Sequence, residues 1–371
     1  MSAGQPEIEG TRRHPARRST RLIWALSIAL LLLVAVGGLL HYAGLIGPRV
    51  PPARYAAAMV FVQQEGRAYL FGGRYEGLTG TAYRNDLWAL DCDTRAWTPV
   101  RTPRRPPARG NANLVYDPDR QQIVLFGGIA RERLADTWVY DIAAHTWHET
   151  TPALSPPPRS DAGMAYDAAS GKVILFSGYG LEDNRDAYDD TWTYDPGTNT
   201  WTEMRPAASP PVMYGQAMVY DSLHRQVLQW GGHASAYQNG RATSHWYEDR
   251  MWRYDDARNT WEALAHRPPT PPARYWHQAI VDAAGRVLIF GGNSDRGFLN
   301  DTWITSPEHD TWTRLDTATA PSPRINAAMA YDASHDVVVL FGGLEADHND
   351  LRDTWVLEMA GTEGRWVRST P

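Results

Sequence analysis

Twelve of the sixteen tryptophans in this chain fall into six pairs. They are Trp88/Trp97, Trp138/Trp147, Trp192/Trp201, Trp252/Trp261, Trp303/Trp312 and Trp355/Trp366, nine residues apart in the first five and eleven in the last. An apolar run ending in small residues precedes each pair: L-F-G-G at Leu70 and Leu125, L-F-S-G at Leu175, Q-W-G-G at Gln229, I-F-G-G at Ile289 and L-F-G-G at Leu340. Within one copy, Pro271 to Trp312, four short, partly alternating apolar segments are separated by Gly, Pro, Asp and Asn, the pattern of four strands joined by turns. A single four-stranded meander cannot bury both of its faces, so it needs neighbours of its own kind. Six copies of roughly 50 residues predict a closed radial propeller.

The glycine doublet followed by paired aromatics resembles the kelch repeat, and the resemblance covers about Arg54 to Arg368. It implies an all-β, six-bladed kelch-type β-propeller. It implies little about chemistry, because such propellers mostly bind partners and only sometimes catalyse.

Most copies open on a proline-rich loop ending in arginine: Arg54, Arg109, Arg159, Arg274 and Arg324, with Met213 in that place in the fourth. The prolines suit a loop between blades, where no ladder donor is needed. Because the arginines belong to the repeat, their first reading is structural, a guanidinium fork satisfying carbonyls at a blade junction; the second is positive charge around the channel mouth. The Asp of D-T-W, at Asp136, Asp190, Asp301 and Asp353, with Asp86 and Asp249 in the variant copies, is expected to bond local backbone amides. The paired tryptophans are core.

Ahead of the repeats, a basic tail over residues 1–21 carries Arg12, Arg13, Arg17, Arg18 and Arg21, and Leu22 to Leu40 is uncharged and apolar. As a helix that run spans about 28 Å, close to the hydrocarbon thickness of a bilayer. The flanking arginines hold its N-terminal end in the cytoplasm. The expectation is one transmembrane signal-anchor helix over 22–40, a linker over 41–53, and a propeller over 54–371 that is periplasmic or extracellular. A cleaved signal peptide competes, with Ala35-Val36-Gly37 as its site, but the apolar run continues through Leu40. Lys172 is the only lysine, which points to a GC-rich bacterial genome; with the apolar span, the expected location is a bacterial cytoplasmic membrane, single-pass, with the N-terminus inside. A net charge of −6 makes nucleic acid an unnatural partner. The single cysteine, Cys92, excludes an internal disulfide framework and a cysteine-based metal site.

Antiparallel connectivity divides the turns between two faces. The turns on one face are short and repetitive. The segments on the other are long and differ between copies: Arg74 to Arg84, Tyr179 to Asp189, His233 to Glu248 and Leu344 to Arg352. Variable loops on a repeating scaffold are where specificity is expected. Trp246 and Trp276 stand outside the paired positions, with His233, His245, Arg274, Tyr275 and His277 nearby in sequence, so a ligand site is expected between blades four and five. The innermost residues of the other first strands are small or polar: Ala56, Asn111, Asp161, Gly215, Gln216 and Asn326.

No catalytic group is assigned. Copper-radical oxidases on kelch propellers use a cysteine-linked tyrosine, and Cys92 lies in a turn on the wrong face. An epimerase-like site would need an acid/base pair, for which Asp161, His277 and the arginines are the only candidates, and no spacing pairs them. Glu182, Asp183, Asp186, Asp189 and Asp190 are dense enough in oxygen ligands for calcium but lack EF-hand spacing. His233 and His245 lack zinc spacing. No cofactor or metal is therefore expected. The function expected is a membrane-tethered extracytoplasmic recognition module that binds a protein or glycan through the variable-loop face. The alternative is a carbohydrate-active enzyme using the same face.

Overall fold

The computed structural model describes residues 50–369 apart from 78–79, 183–184, 239–240 and 362. The chain divides into two units, Met1–Pro48 and Arg49–Pro371, and all described residues lie in the second. Among them no helix is long and apolar enough to cross a membrane; the basic tail and the 22–40 span lie outside them.

The described residues form six four-stranded antiparallel sheets, each a meander running outward in chain order. Sheet 1 is Ala58–Val62, Arg67–Phe71, Leu87–Asp91 and Ala96–Val100. The innermost strands of sheets 2 to 6 are Asn113–Asp117, Gly163–Asp167, Ala217–Asp221, Gln278–Val281 and Ala328–Asp332. Each innermost strand touches the next, and that of sheet 6 touches that of sheet 1, so the arrangement is a closed β-propeller ring. The last strand, Glu363–Ser369, pairs within sheet 6, and among the described residues no strand is exchanged between the chain ends.

The second strands carry the core. Leu70, Leu125, Leu175, Ile289 and Leu340 are fully buried, as is every residue of Val287–Phe290. This explains why these strands read as continuous apolar runs: both faces are covered by neighbouring sheets.

Two repeated interactions lock sheet to sheet. The second tryptophan of each sheet packs on the aromatic that ends the second strand of the preceding sheet. Trp201 lies 4.9 Å from Phe126 and Trp261 4.9 Å from Phe176. Trp97 lies 5.2 Å from Phe341, across the closure between sheets 6 and 1. Its indole N–H then donates to the threonine of the preceding D-T-W: Trp97 to Thr354 at 2.9 Å, and Trp201 to Thr137, Trp261 to Thr191 and Trp366 to Thr302 at 3.0 Å. In the two variant copies that threonine is Leu87 or Met251, and the indoles facing them, Trp147 and Trp312, have no acceptor.

Within five sheets a second device holds the proline loop. The repeat arginines are fully buried, and each makes a two-pronged ion pair with the repeat aspartate. The pairs are Arg54–Asp86, Arg109–Asp136, Arg159–Asp190, Arg274–Asp301 and Arg324–Asp353. The same aspartate accepts from the indole two residues on, as Asp136 does from Trp138 at 2.7 Å. Arginine also donates to carbonyls, for example from Arg109 to Gly127 and Pro107. The structural reading of the arginines therefore holds. The aspartate reading is corrected: its carboxylate is engaged by guanidinium and indole, because a fully buried guanidinium requires an anion. Burial would raise these carboxyls, but the arginine hydrogen bonds and charge outweigh it and hold Asp86, Asp136, Asp301 and Asp353 below their ordinary pKa.

The glycine doublet is the other half of this joint. Gly72 has φ +68°, and a Cβ there would meet the carbonyl oxygen of Arg109 in the next sheet at 2.7 Å. The equivalent residue in sheet 3 is Ser177, whose hydroxyl donates to the Met213 carbonyl at 2.5 Å. Sheet 4 thus breaks the pattern in several places at once: Met213 for arginine, Gln229 in its second strand, and Met251 for threonine.

Candidate functional site

Two residues before each innermost strand the backbone turns left-handed: Ala56, Asn111, Asp161, Gly215, Trp276 and Asn326 all have φ between 51° and 69°. Their amides and carbonyls form a closed hydrogen-bonded cycle. Asn111 N–H donates to Ala56, Asp161 to Asn111, Gly215 to Asp161, Trp276 to Gly215, Asn326 to Trp276, and Ala56 to Asn326, at 2.7–3.2 Å. This backbone collar rims one mouth of the channel, and behind it lies a cavity of about 200 Å³. Trp276 therefore sits in a bend two residues before the strand Gln278–Val281. Its conformation is costly for a bulky residue, and the neighbouring bonds hold it there.

Side chains on the collar make a polar chain. Asp161 Oδ1 accepts from Asn111 at 2.5 Å and from the Trp276 indole at 2.9 Å, and its Oδ2 from Ser160 at 2.8 Å. Trp276 reaches Asp161, two sheets away, by lying over Gly215, where a Cβ would stand 2.8 Å from its ring. Burial pushes the Asp161 pKa up, against the lowering effect of those hydrogen bonds and of Arg74.

One side of this mouth is aromatic. The variable segments of sheets 1, 3, 4 and 5 are small hairpins and not the open loops expected; the longest pairs His233–Gln238 with Arg241–Tyr247. Val212–Tyr214 adds a third strand to that hairpin. The three-stranded flap stands Tyr214, His233, His245 and Tyr247 against Tyr275 and Trp276 of the next sheet. Ring centroids are 4.4 Å apart for Tyr275–Trp276, 5.0 Å for Tyr247–Tyr275, 5.5 Å for His233–Tyr275, 4.9 Å for Tyr214–His233 and 5.4 Å for the stacked pair His233–His245. Tyr179 extends the cluster to sheet 3 at 5.0 Å from Tyr214. Burial, then the nearby His245, holds His233 below its ordinary pKa, so it is neutral at pH 7.

The structure brings together four of the seven residues expected at the site: His233, His245, Tyr275 and Trp276. Trp246 stands apart, because neighbours along a strand point to opposite faces. It is 36% exposed, and its indole donates to Glu248. Arg274 is turned inward and engaged by Asp301. His277 is buried beneath the mouth, edge-on to Trp230 at 4.9 Å. Both its ring nitrogens lack a partner, and burial, reinforced by Arg274, lowers its pKa to about 3. No hydrogen bond joins His277 to Asp161 among the described residues, so no acid/base pair is formed from them. Tyr214 was missed. Its signal was its register, one residue after the repeat arginine, which it shares with Tyr55 and Tyr275. Of the acidic loop, Asp183 lies outside the described residues and Asp190 is taken up by Arg159.

The closed ring, the arginine–aspartate joints and the glycine doublets define a kelch-repeat β-propeller. The chain belongs to the Attractin/LZTR1 beta-propeller family, whose model matches residues 46–295. It is similar to an F-box/kelch-repeat protein of Arabidopsis thaliana, 31% identical over 27% of this chain and 22% of that protein. It is similar as well to Adagio protein 3 of the same plant, 29% identical over 49% of the chain and 29% of that protein. The flagellar outer-arm dynein alpha chain of Chlamydomonas reinhardtii is 32% identical over 27% of the chain and 2% of its own length. The chain thus spans less than a third of each of these relatives.

Proposed function

We propose that this chain is a recognition module whose six-bladed propeller binds a protein or glycan at the mouth between sheets 4 and 5. The observation that carries the reading is the one-sided aromatic cluster from Tyr214 to Trp276, built where the repeat is broken. Flat rings beside the neutral imidazole of His233 suit a sugar face or an apolar peptide anchor, and the pre-formed backbone collar lowers the ordering cost of binding. A kelch-type propeller is commonly an interaction module, and one of the relatives is named for joining kelch repeats to an F-box. The basic tail and the apolar span at 22–40 support tethering to a bacterial cytoplasmic membrane with the ring outside.

A second reading, a carbohydrate-active enzyme at the same mouth, has one observation in its favour: Asp161 is a carboxyl whose pKa is raised by burial, as a general acid requires. The test is a screen of the full chain against immobilised glycans and cell-envelope peptides, with turnover monitored in parallel. Hits that weaken in Trp276→Ala and Tyr247→Ala support recognition at this mouth. Turnover abolished by Asp161→Asn selects the enzyme. Hits bound at full strength by both aromatic variants would place the site elsewhere.

A further inference from the structure

At the opposite end of the same two sheets, two histidines from different repeats converge on one carboxylate. Asp221 ends the innermost strand of sheet 4 and is fully buried. Its Oδ1 accepts the backbone N–H groups of Leu223 and His224 at 3.0 and 3.3 Å, which fixes the orientation of the carboxylate. Its Oδ2 faces His224 Nδ1 at 2.6 Å, His309 Nε2 at 3.0 Å and Gln226 Nε2 at 3.2 Å. The two imidazoles meet edge-to-face, with centroids 5.6 Å apart. The three donor atoms of Asp221, His224 and His309 lie within 4.8 Å of one another.

His309 reaches this point because sheet 5 departs from the repeat. Two residues after the first tryptophan the other sheets carry a large side chain, Leu90, Tyr140, Tyr194, Tyr254 or Leu357; sheet 5 carries Thr305. The space is filled by His309, only 2% exposed and left-handed at φ 59°, on a turn that contains Pro307. The junction it crosses lacks the repeat's own fastening, since the Trp312 indole faces Met251 and has no acceptor.

We propose that Asp221, His224 and His309 form a transition-metal site, best suited to Zn²⁺, that staples sheet 4 to sheet 5. One carboxylate and two imidazoles are a familiar three-ligand set for zinc, with solvent as the fourth ligand. The exposed edge of His224 gives the ion its entry. Ligand atoms about 2 Å from a tetrahedral ion stand about 3.3 Å apart, so each imidazole retreats from Oδ2 by less than about 1 Å. A metal-bound imidazole carries its single proton on the other ring nitrogen. In His224 that is the solvent side. In His309 it is Nδ1, which Thr305 Oγ1, 3.3 Å away, accepts; that hydroxyl has a second lone pair for the Val287 N–H. Without the ion the same atoms are joined by two N–H···O bonds, so the metal competes with a complete network and adds to it rather than creating it.

The site is independent of the binding mouth, and its test needs no ligand for that mouth. Full-length protein without a polyhistidine tag is stripped with chelator and titrated with Zn²⁺ by calorimetry, with melting followed in parallel. One ion per chain is expected, with a rise in Tm that grows with free Zn²⁺. Co²⁺ should give the visible absorption of a site with nitrogen ligands. His224→Ala, at an exposed ring, should melt like wild type without metal, bind Zn²⁺ at least tenfold more weakly and lose most of the Tm rise. His309→Ala should lose the same affinity, from a lower metal-free Tm because its ring is buried; if its loss unfolds the ring, His224→Ala decides alone. His335→Ala is the control, because His335 lies between Asp332 and Asp93 in a similar pairing at 2.7 and 2.9 Å, and it should leave the affinity unchanged. Absence of one-to-one binding, wild-type affinity in His224→Ala, or an equal loss in His335→Ala overturns the proposal.

Discussion

Thr354→Val should loosen the ring at its closure. Trp97 and Thr354 are only 6% and 5% exposed, and the indole N–H donates to the threonine hydroxyl at 2.9 Å across sheets 1 and 6. Valine keeps the shape and removes the acceptor, leaving a buried N–H unpaired, which costs about 1–3 kcal/mol. The methyl that replaces the hydroxyl recovers somewhat less than the roughly 0.8 kcal/mol of a fully buried carbon. The net expectation is a loss of about 1–2 kcal/mol, read as a lower urea midpoint at unchanged slope. Thr354→Ser, which keeps the hydroxyl, should lose only the packing of one methyl. Trp97→Phe removes the donor, and a double-mutant cycle isolates the bond: its coupling should be about 1 kcal/mol. The chain contains its own comparison, since Trp147 and Trp312 face Leu87 and Met251 and already lack this bond. If the cycle gives zero coupling, or if valine and serine destabilise equally, the indole–threonine bond contributes nothing and closure rests on the other contacts between sheets 6 and 1, the Trp97–Phe341 pair and the Ala56–Asn326 backbone bond among them.

Asp301→Asn should destabilise by about 3–5 kcal/mol in thermal or denaturant unfolding, because it strands the fully buried Arg274 charge. The same pairs predict acid lability. Four of these aspartates have folded pKa values below the ordinary one, so their stabilisation is complete above an unfolded-state pKa of about 3.9 and is lost as the pH falls through the lower folded values; a Tm that rose on acidification below pH 4 would contradict this. At the mouth, Trp276→Ala should weaken binding of an identified ligand by on the order of 2 kcal/mol while Trp246→Ala, on the far face of the hairpin, changes it little; equal effects would separate the ligand from the aromatic cluster. Protease added to spheroplasts should digest or release the propeller, and full protection would contradict a ring outside the cytoplasm.

Sequence periodicity made the ring legible because each repeated residue type has one physical task. Tryptophan pairs, glycine doublets and proline-arginine openings each mark a sheet-to-sheet joint, and joints must recur. What periodicity could not give was the partner across a joint. The repeat aspartate is 27 to 32 residues from its arginine in the five copies that have both, yet its pairing depends on burial that only the packed sheets reveal. The threonine of the same motif reads as β-propensity until the neighbouring indole is placed beside it. At the mouth, the sequence singled out Trp276 and His233 because they depart from the repeat, but it grouped Trp246 with them although strand alternation turns it away. His277 and Arg274 were drawn in by proximity along the chain, and both point into the protein. The meeting of His309 with Asp221 had no local signal, since 88 residues separate them.

The departures from the repeat are concentrated. Met213, Ser177, Gln229 and Met251 replace the arginine, glycine, apolar and threonine positions in sheet 4 or in the residue facing it. Met213 and Met251 each remove an interaction present in most of the other sheets, whereas Ser177 adds a hydroxyl bond to the Met213 carbonyl. Met213 leaves Asp249 without its buried arginine, and Asp249 is exposed. Met251 leaves Trp312 unpaired. Sheet 1 shows one such loss, Leu87 opposite the Trp147 indole; the others border the segment that carries the longest hairpin, the aromatic cluster and the His309–Asp221 contact. A repeat position under joint duty cannot change its side chain without loss, whereas one released from that duty can acquire a different partner. The fourth sheet lacks the buried arginine and the threonine acceptor toward sheet 5, and the flap and the histidine pair occupy its two ends.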